Sequence, residues 1–235
     1  SLTWLDLRIA KNVYRPNFIL KSIFKIIGIN ATLQKMERKG HSNWIRQNEP
    51  GIWRKTYKYL QVSGYLNYKL TNKFTDSIAS QIGYVPFDYK KQKWANPKEV
   101  FEISSKLYPV EKEKLPKLIK PGATIGTITE KASELTGIPI GIPVIACGSD
   151  KGCETLGMGV TDTRMLSLSF GTTATAQTTT NKYMEPIKYF PSYPSVIPKH
   201  WNPEMEIFRG FWMINWFKNE FALKETLEAA KKNIP

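Results

Sequence analysis

The sequence contains little cysteine or histidine and no long apolar run. Each of the two residue types occurs twice among 235 residues. Neither His41 nor His200 has a partner at ligand spacing, so we predict no protein metal site. A short bridge between Cys147 and Cys153 is geometrically feasible, but two buried free thiols in a reducing, cytoplasmic compartment are the better interpretation. No stretch reaches the roughly 18 to 20 apolar residues of a membrane span, and we expect no membrane partner.

Acidic residues are scarce in the first half of the chain. The net charge is +14, and residues 1–120 carry all of the excess, with 23 basic and 9 acidic side chains. Such an excess can bind nucleic acid or an anionic membrane. However, lysine outnumbers arginine 27 to 7, whereas base readout favours arginine. No known nucleic-acid-binding motif is present. We therefore expect a solvated basic surface and no nucleic-acid partner.

The remaining composition is that of a folded globular protein, with 41% hydrophobic and 23% charged residues. Helical spacing and punctuation by glycine and proline predict helices at 17–28, 52–70, 97–106, 130–136, 151–158 and 220–232. Short apolar or alternating runs predict strands at 1–8, 144–147, 165–170 and 174–180. Residues 181–207 are rich in proline and are predicted as loops. The glycines at 157 and 159 favour a domain change there.

Asp150 is the first candidate for chemistry. It follows the apolar run 144–147 and stands at the start of the predicted helix 151–158. A helix N-terminus favours an ionised carboxylate, and a rigidly held carboxylate suits a base that removes a proton from a hydroxyl. On position alone, a helix N-cap is a strong alternative role.

A second candidate lies about twenty residues further on, in the string Ser-Phe-Gly-Thr-Thr at 169–173. It places Gly171 between two predicted strands, where the backbone can approach a ligand closely. Turn amides together with hydroxyls can hold phosphate oxygens. Taken alone, a Gly-Thr turn in a hairpin is ordinary.

Several segments, in their order along the chain, resemble the FGGY family of carbohydrate kinases. They are 3–8 (TWLDLR), 64–80, 136–139, 141–152 (GIPVIACGSDKG), 157–160 (GMGV), 166–174 (LSLSFGTTA) and Gly210 with Trp216. Family members are ATP-dependent sugar and polyol kinases with an actin-like, ribonuclease H-like α/β fold of two domains. The resemblance implies that residues 1–159 belong to the N-terminal sugar-binding domain. Residues 160–235 would then begin the C-terminal ATP-binding domain.

The resemblance also implies roles for single residues. Asp150 would be the catalytic base that deprotonates the sugar hydroxyl. Trp4 would bind the substrate by packing its ring on the carbon face of the sugar. The implied partners are a small sugar or polyol, ATP with Mg²⁺, and a second copy of the chain in a homodimer. The implied phosphate and nucleotide contacts are Gly171, Thr172, Thr173 and Gly210.

Two family motifs are absent from the sequence. It has no D-x-G-T phosphate loop, and residues 124–127 (TIGT) carry threonine where that loop has aspartate. It also has no glycine-rich adenosine motif and no Gly-Gly pair. We therefore expect the central part of such a kinase, inactive towards ATP by itself because phosphoryl transfer depends on phosphate-binding loops. The alternative is a non-catalytic member of the fold that binds a sugar or a partner.

Overall fold

The computed structural model describes residues 6–171, 173–187, 189–207 and 209–234, in which five helices precede a mixed region of short strands and helices and two helices end the order. The helices are α1 (Phe18–Ile26), α2 (Asn30–Lys39), α3 (His41–Asn48), α4 (Pro50–Lys55), α5 (Val62–Thr71), α6 (Ser104–Leu107), α7 (Glu130–Thr136), α8 (Asp150–Gly157), α9 (Trp212–Phe221) and α10 (Leu223–Lys231). The strands are β1 (Thr75–Ser77), β2 (Phe87–Asp88), β3 (Lys93–Trp94), β4 (Lys117–Ile119), β5 (Thr124–Thr127), β6 (Pro143–Ile145), β7 (Ser167–Phe170), β8 (Ala174–Gln177), β9 (Tyr193–Pro194), β10 (Trp201–Asn202) and β11 (Glu204–Ile207). No helix within the described ranges is long and apolar enough to cross a membrane.

Capping residues fix the helix ends that the sequence predicts most sharply. α7 is confirmed at its predicted bounds. At its start the Thr129 hydroxyl accepts a hydrogen bond from the Ala132 amide. At its end Gly137 adopts a φ of 74°, a left-handed conformation that suits glycine. α1 is confirmed in the same way, since the Asn17 side chain caps its first turn.

The helical region predicted at 52–70 is wrong in its middle, where residues 56–61 separate α4 from α5. These residues bond to a distant segment instead of to their own helix. The Tyr59 amide donates to the Lys114 carbonyl at 2.8 Å, and the Lys58 ammonium donates to the Leu115 carbonyl at 3.2 Å. Tertiary contacts therefore override the local helical pattern.

Two other predicted elements are shorter than expected or missing. Of the helix predicted at 97–106, only α6 forms, because the Glu102 carboxylate accepts the Ser104 and Ser105 amides and so begins the helix there. Of the strand predicted at 1–8, residues 6–8 are not in a strand. Residues 1–5 lie outside the described ranges.

The N-terminal half contains paired short strands. β1 runs parallel to β4, and β5 runs antiparallel to β6. β6 confirms only residues 144 and 145 of the strand predicted at 144–147, and it does not confirm its burial: Ile145 is 43% exposed, although Ala146, just after the strand, is 2% exposed. The prediction of buried thiols is wrong, because Cys147 alternates with Ala146 and faces outward. Cys153 is exposed as well, and both cysteines are free.

Asp76, in β1, is fully buried and joins α5 to the short helical turn that follows the strand. It accepts hydrogen bonds from the Ser63 hydroxyl (2.8 Å), the Asn67 amide group (3.2 Å), the Gln81 amide group (2.9 Å) and the Ser77 backbone amide (2.8 Å). These donors satisfy the carboxylate, as a buried charge requires. Burial nevertheless outweighs them and raises the pKa of Asp76.

We expect this buried carboxyl to give the folding stability a specific pH dependence. When the pKa is higher in the folded than in the unfolded state, the stability is full below the unfolded pKa. It is then lost as the pH rises through the folded pKa. The difference in unfolding free energy between wild type and Asp76→Asn should therefore fall as the pH is raised from about 4, the ordinary pKa of an aspartate, towards neutral. Urea denaturation across that range measures it, and a difference that rises with pH would contradict the assignment.

β8 is the central strand of an antiparallel sheet with the order β11–β8–β7. Phe170 pairs with Ala174 across the turn between β7 and β8, and Ile207 pairs with Ala174 from the other side. The strands predicted at 165–170 and 174–180 are confirmed in position. The loop predicted at 181–207 is wrong in part, since β9, β10 and β11 lie within it. These are short strands, and Pro194 is tolerated because β9 lies at an edge.

Residues 189–202 pack against the N-terminal half. The Trp201 indole donates to the Tyr89 carbonyl at 2.7 Å, and the Gln92 side chain donates to the His200 carbonyl at 2.7 Å. The Tyr89 and Tyr193 rings meet edge to face, with centroids 5.3 Å apart. These contacts cross the predicted domain boundary at 159 and 160.

Candidate active site

Asp150 is the first residue of α8, and its carboxylate is exposed. The N-cap alternative for Asp150 is wrong, because Ser149 holds that position and accepts the Gly152 amide at 3.2 Å. The Asp150 Oδ1 atom accepts only the neighbouring Lys151 amide, at 2.8 Å, among the hydrogen bonds within the described ranges. The carboxylate is thus held at a helix N-terminus and remains accessible to a ligand.

The three residues before Asp150 are fixed by contacts from two sides. The Ser77 hydroxyl donates to the Cys147 carbonyl, and the Ser149 amide donates to the Ala79 carbonyl at 3.0 Å. Gly148 leaves no room for a side chain: a Cβ there would lie 2.3 Å from the Val196 Cγ1 atom and 3.1 Å from the Ala79 Cβ atom. The backbone that carries Asp150 is therefore confined between residues 77–79 and Val196.

The turn between β7 and β8 contains the predicted phosphate contacts. The Gly171 amide donates to the Thr173 carbonyl at 2.9 Å, which closes the turn. Among the described residues, a Cβ on Gly171 would meet only that carbonyl oxygen, at 3.8 Å, so the glycine presents an open face to them. Thr172 and Trp4 lie outside the described residues.

Two further contacts bring the predicted site residues together. The Lys151 ammonium, beside Asp150, donates to the Ser169 hydroxyl at 2.8 Å, two residues before Gly171. The Phe211 amide donates to the Gly171 carbonyl at 2.8 Å, so buried Gly210 lies next to the turn. The N-terminus of α8, the β7–β8 turn and the start of α9 are thereby linked.

α8 is also attached to β8, the central strand of the sheet. The Thr155 hydroxyl donates to the Gln177 side chain, and both residues are buried. The Gln177 amide group in turn contacts the Glu204 carboxylate at 3.3 Å. Burial and the charge of Glu206 raise the pKa of Glu204. The Lys151 charge and the Gln177 hydrogen bond oppose this rise, and Asp150 adds to it.

Sequence reasoning gave no role to Lys151 or Ser169, although both lie in the quoted strings 141–152 and 169–173, and it did not consider Glu204. Alternation along β7 places Ser169 on the same face as buried Ser167, towards α8, and that pattern could have indicated the contact. Glu204 carried no local signal, because its position depends on the pairing of β11 with β8.

The residues present fit a magnesium nucleotide. Within the described ranges no group of three or more His, Cys, Asp or Glu side chains could hold a metal ion. Mg²⁺ bound to nucleotide phosphates, however, needs only one or two carboxylates from the protein. Asp150 presents an exposed carboxylate at the start of α8, and the space beside Gly171 among the described residues leaves room for a phosphate to approach.

Comparison with known proteins gives the family. The sequence model of the N-terminal domain of the FGGY family of carbohydrate kinases matches residues 2–157. The uncharacterised sugar kinase YgcE of Escherichia coli K12 is 31% identical over 159 residues, which cover 67% of this chain and 31% of that protein. The xylulose kinase of Staphylococcus xylosus is 26% identical over 183 residues, covering 75% of this chain and 35% of its own. The chain thus spans about a third of the length of these relatives.

Solved structures give the fold. The ligand-bound xylulose kinase of Lactobacillus acidophilus matches with a TM-score of 0.66 at 21% identity, over 90% of this chain and 45% of that one. The glycerol kinase of Plasmodium falciparum with ADP matches with a TM-score of 0.64 at 16% identity, over 98% of this chain and 46% of that one. The fold is therefore the actin-like, ribonuclease H-like α/β fold. Because the family model matches residues 2–157, about two thirds of this chain, the chain belongs to the FGGY family of carbohydrate kinases.

Proposed function

We propose that the protein containing this chain is an ATP-dependent sugar or polyol kinase in which Asp150 is the general base. The supporting observation is a juxtaposition. An exposed carboxylate at the start of α8 is linked, through Lys151 and Ser169, to the open glycine turn between β7 and β8. A proton acceptor and a phosphate-binding turn on neighbouring elements are what phosphoryl transfer to a hydroxyl requires.

Asp150 performs the proton transfer in this proposal. Its carboxylate accepts the proton of the substrate hydroxyl as the hydroxyl oxygen bonds to the γ-phosphorus of ATP. The bond from that phosphorus to the bridging oxygen breaks, and ADP leaves with the electron pair. Positioning and charge stabilisation supply most of the rate enhancement in such transfers.

In this proposal the nucleotide is bound by the β7–β8 turn and by the residues before α9. Gly171, Thr172 and Thr173 contact the β- and γ-phosphates, and Gly210 lies near the nucleotide. Mg²⁺ bound to these phosphates would neutralise part of their charge. The open face of Gly171 and its bond to Phe211 support this assignment.

The substrate side lies in the N-terminal domain, which we place at residues 1–159, with residues 160–235 beginning the ATP-binding domain. Trp4 stacks on the carbon face of the sugar. Because no D-x-G-T loop occurs in residues 1–235, we propose that this chain alone is inactive. We further propose that the whole protein acts in the cytoplasm, where ATP is abundant, as a homodimer.

ADP release tests the proposal. The full product of the open reading frame is mixed with Mg-ATP and each of a panel of ketoses, polyols and sugar acids. We expect turnover with one compound or a narrow set, and none from residues 1–235 alone. Turnover by residues 1–235 would contradict the inactivity of this chain. Binding of a sugar without turnover of any compound would favour a non-catalytic member of the family.

A further inference from the structure

Lys151 connects two elements of the candidate site by its side chain. It leaves the first turn of α8, and its ammonium lies 2.8 Å from both the Ser169 hydroxyl and the Glu154 carboxylate. The Lys151 side chain is 33% exposed, so it is largely enclosed between the helix and β7. A lysine on a helix surface usually extends into water, and holding it here costs side-chain entropy.

We propose that Lys151 is a positioning residue that aligns Asp150 with the turn between β7 and β8. The inference rests on the proposed function, since it assigns Asp150 and this turn to one reaction. Lys151 adjoins Asp150, and Ser169 precedes Gly171 by two residues. The hydrogen bond from Lys151 to Ser169 therefore joins the first turn of α8 to the end of β7 that leads into the turn.

The attachment of α8 makes this contact effective. Farther along the helix, the buried contact between Thr155 and Gln177 fixes the centre of α8 on β8. The contact between Lys151 and Ser169 fixes its first turn on β7. Without the second contact the helix stays packed and the backbone before Asp150 stays held by Ala79 and Val196, but the β7–β8 turn can move relative to the first turn of α8. A displacement of about 1 Å between reacting groups can cost on the order of 10²-fold in rate.

The charge of Lys151 is a separate contribution that must be distinguished from alignment. Lys151 lies among the carboxylates of Asp150, Glu154 and Glu204, and its charge opposes the rise in the pKa of Glu204. Ser169→Ala keeps this charge and removes only the hydrogen bond. Alignment therefore predicts a loss of activity in Ser169→Ala, whereas a purely electrostatic role predicts none.

Kinetics of the full product of the reading frame test the alignment. Ser169→Ala and Lys151→Met should each lower kcat on the order of ten- to one hundredfold with little change in KM. The double variant should be no worse than Lys151→Met, and Lys151→Arg should retain most of kcat. Lys131→Met, which removes an exposed lysine of α7, is the control and should change nothing. Unchanged kcat in Ser169→Ala would overturn the proposal.

Hydrogen exchange gives a readout that does not need turnover. Backbone amides in residues 167–171 and in the first turn of α8 should exchange faster in Ser169→Ala and in Lys151→Met than in wild type. Exchange near Thr155 should stay slow. If the wild type turns over no compound, the kinase proposal fails, while faster exchange still establishes the link between the two elements. Exchange identical to wild type in both variants would refute the link itself.

Discussion

Asp150→Asn is expected to lower kcat of the full product by about 10²- to 10⁴-fold, the range that general base catalysis contributes. Asparagine matches the shape of aspartate and can still accept the Lys151 amide. It cannot take up a proton from a hydroxyl. Sugar binding should therefore persist, because the variant changes one atom at the surface of the site. ADP release and sugar binding, measured on the same preparation, separate the two effects.

Glu130→Gln is the matched control for that experiment. Glu130 is also an exposed carboxylate at the first position of a helix, in α7, and it follows a Thr cap just as Asp150 follows a Ser cap. Both variants lose a favourable interaction with the helix N-terminus, about 0.3–1 kcal/mol. Only Asp150→Asn should lose turnover. If both variants kept full turnover, Asp150 would not be the base.

The sequence predicts those elements whose ends are set by residues close by in the chain. α7 begins at a Thr cap and ends at a glycine with positive φ, and both signals lie within eight residues. The same holds for the position of Asp150 and for the turn at Gly171, since in each case a glycine ends a short strand-like run of residues. The order of these motifs along the chain was sufficient to indicate the family.

Contacts between distant segments could not be predicted from the sequence. The bond from Lys151 to Ser169 spans 18 residues, and the one from Ser77 to Cys147 spans 70. The exposure of Cys147 has the same origin: it lies just after β6, and burial of its side chain depends on whether a distant segment packs against that face. An apolar run indicates a strand, but burial depends on which neighbours that strand acquires.

Gly148 is the position at which such a distant contact has its largest consequence. A methyl group there would lie between the Val196 Cγ1 atom at 2.3 Å and Ala79, whose Cβ atom is at 3.1 Å and whose carbonyl oxygen is at 3.4 Å. Ala79 is fully buried and its carbonyl accepts the Ser149 amide, so it cannot retreat without breaking that bond. The strain must therefore displace either Val196 or the backbone that leads into Asp150.

Gly148→Ala should accordingly lower the unfolding free energy by about 1–3 kcal/mol, the usual cost of overpacking. Urea denaturation of the full product measures it. Gly157→Ala is the control in the same region. A Cβ at that last residue of α8 meets nothing within 4 Å, and alanine favours the helix, so the variant should be neutral or slightly stabilising.

Removing the Val196 methyl group tests the cause of the stability loss in Gly148→Ala. Val196→Ala deletes the atom nearest to the new Cβ, so Gly148→Ala combined with Val196→Ala should be more stable than the two single effects predict, by about 0.5–3 kcal/mol. Such coupling would show that Val196, beyond the predicted domain boundary, confines the backbone next to Asp150. Additive effects would instead mean that the new methyl group does not meet Val196 and that the loss comes from its contact with Ala79.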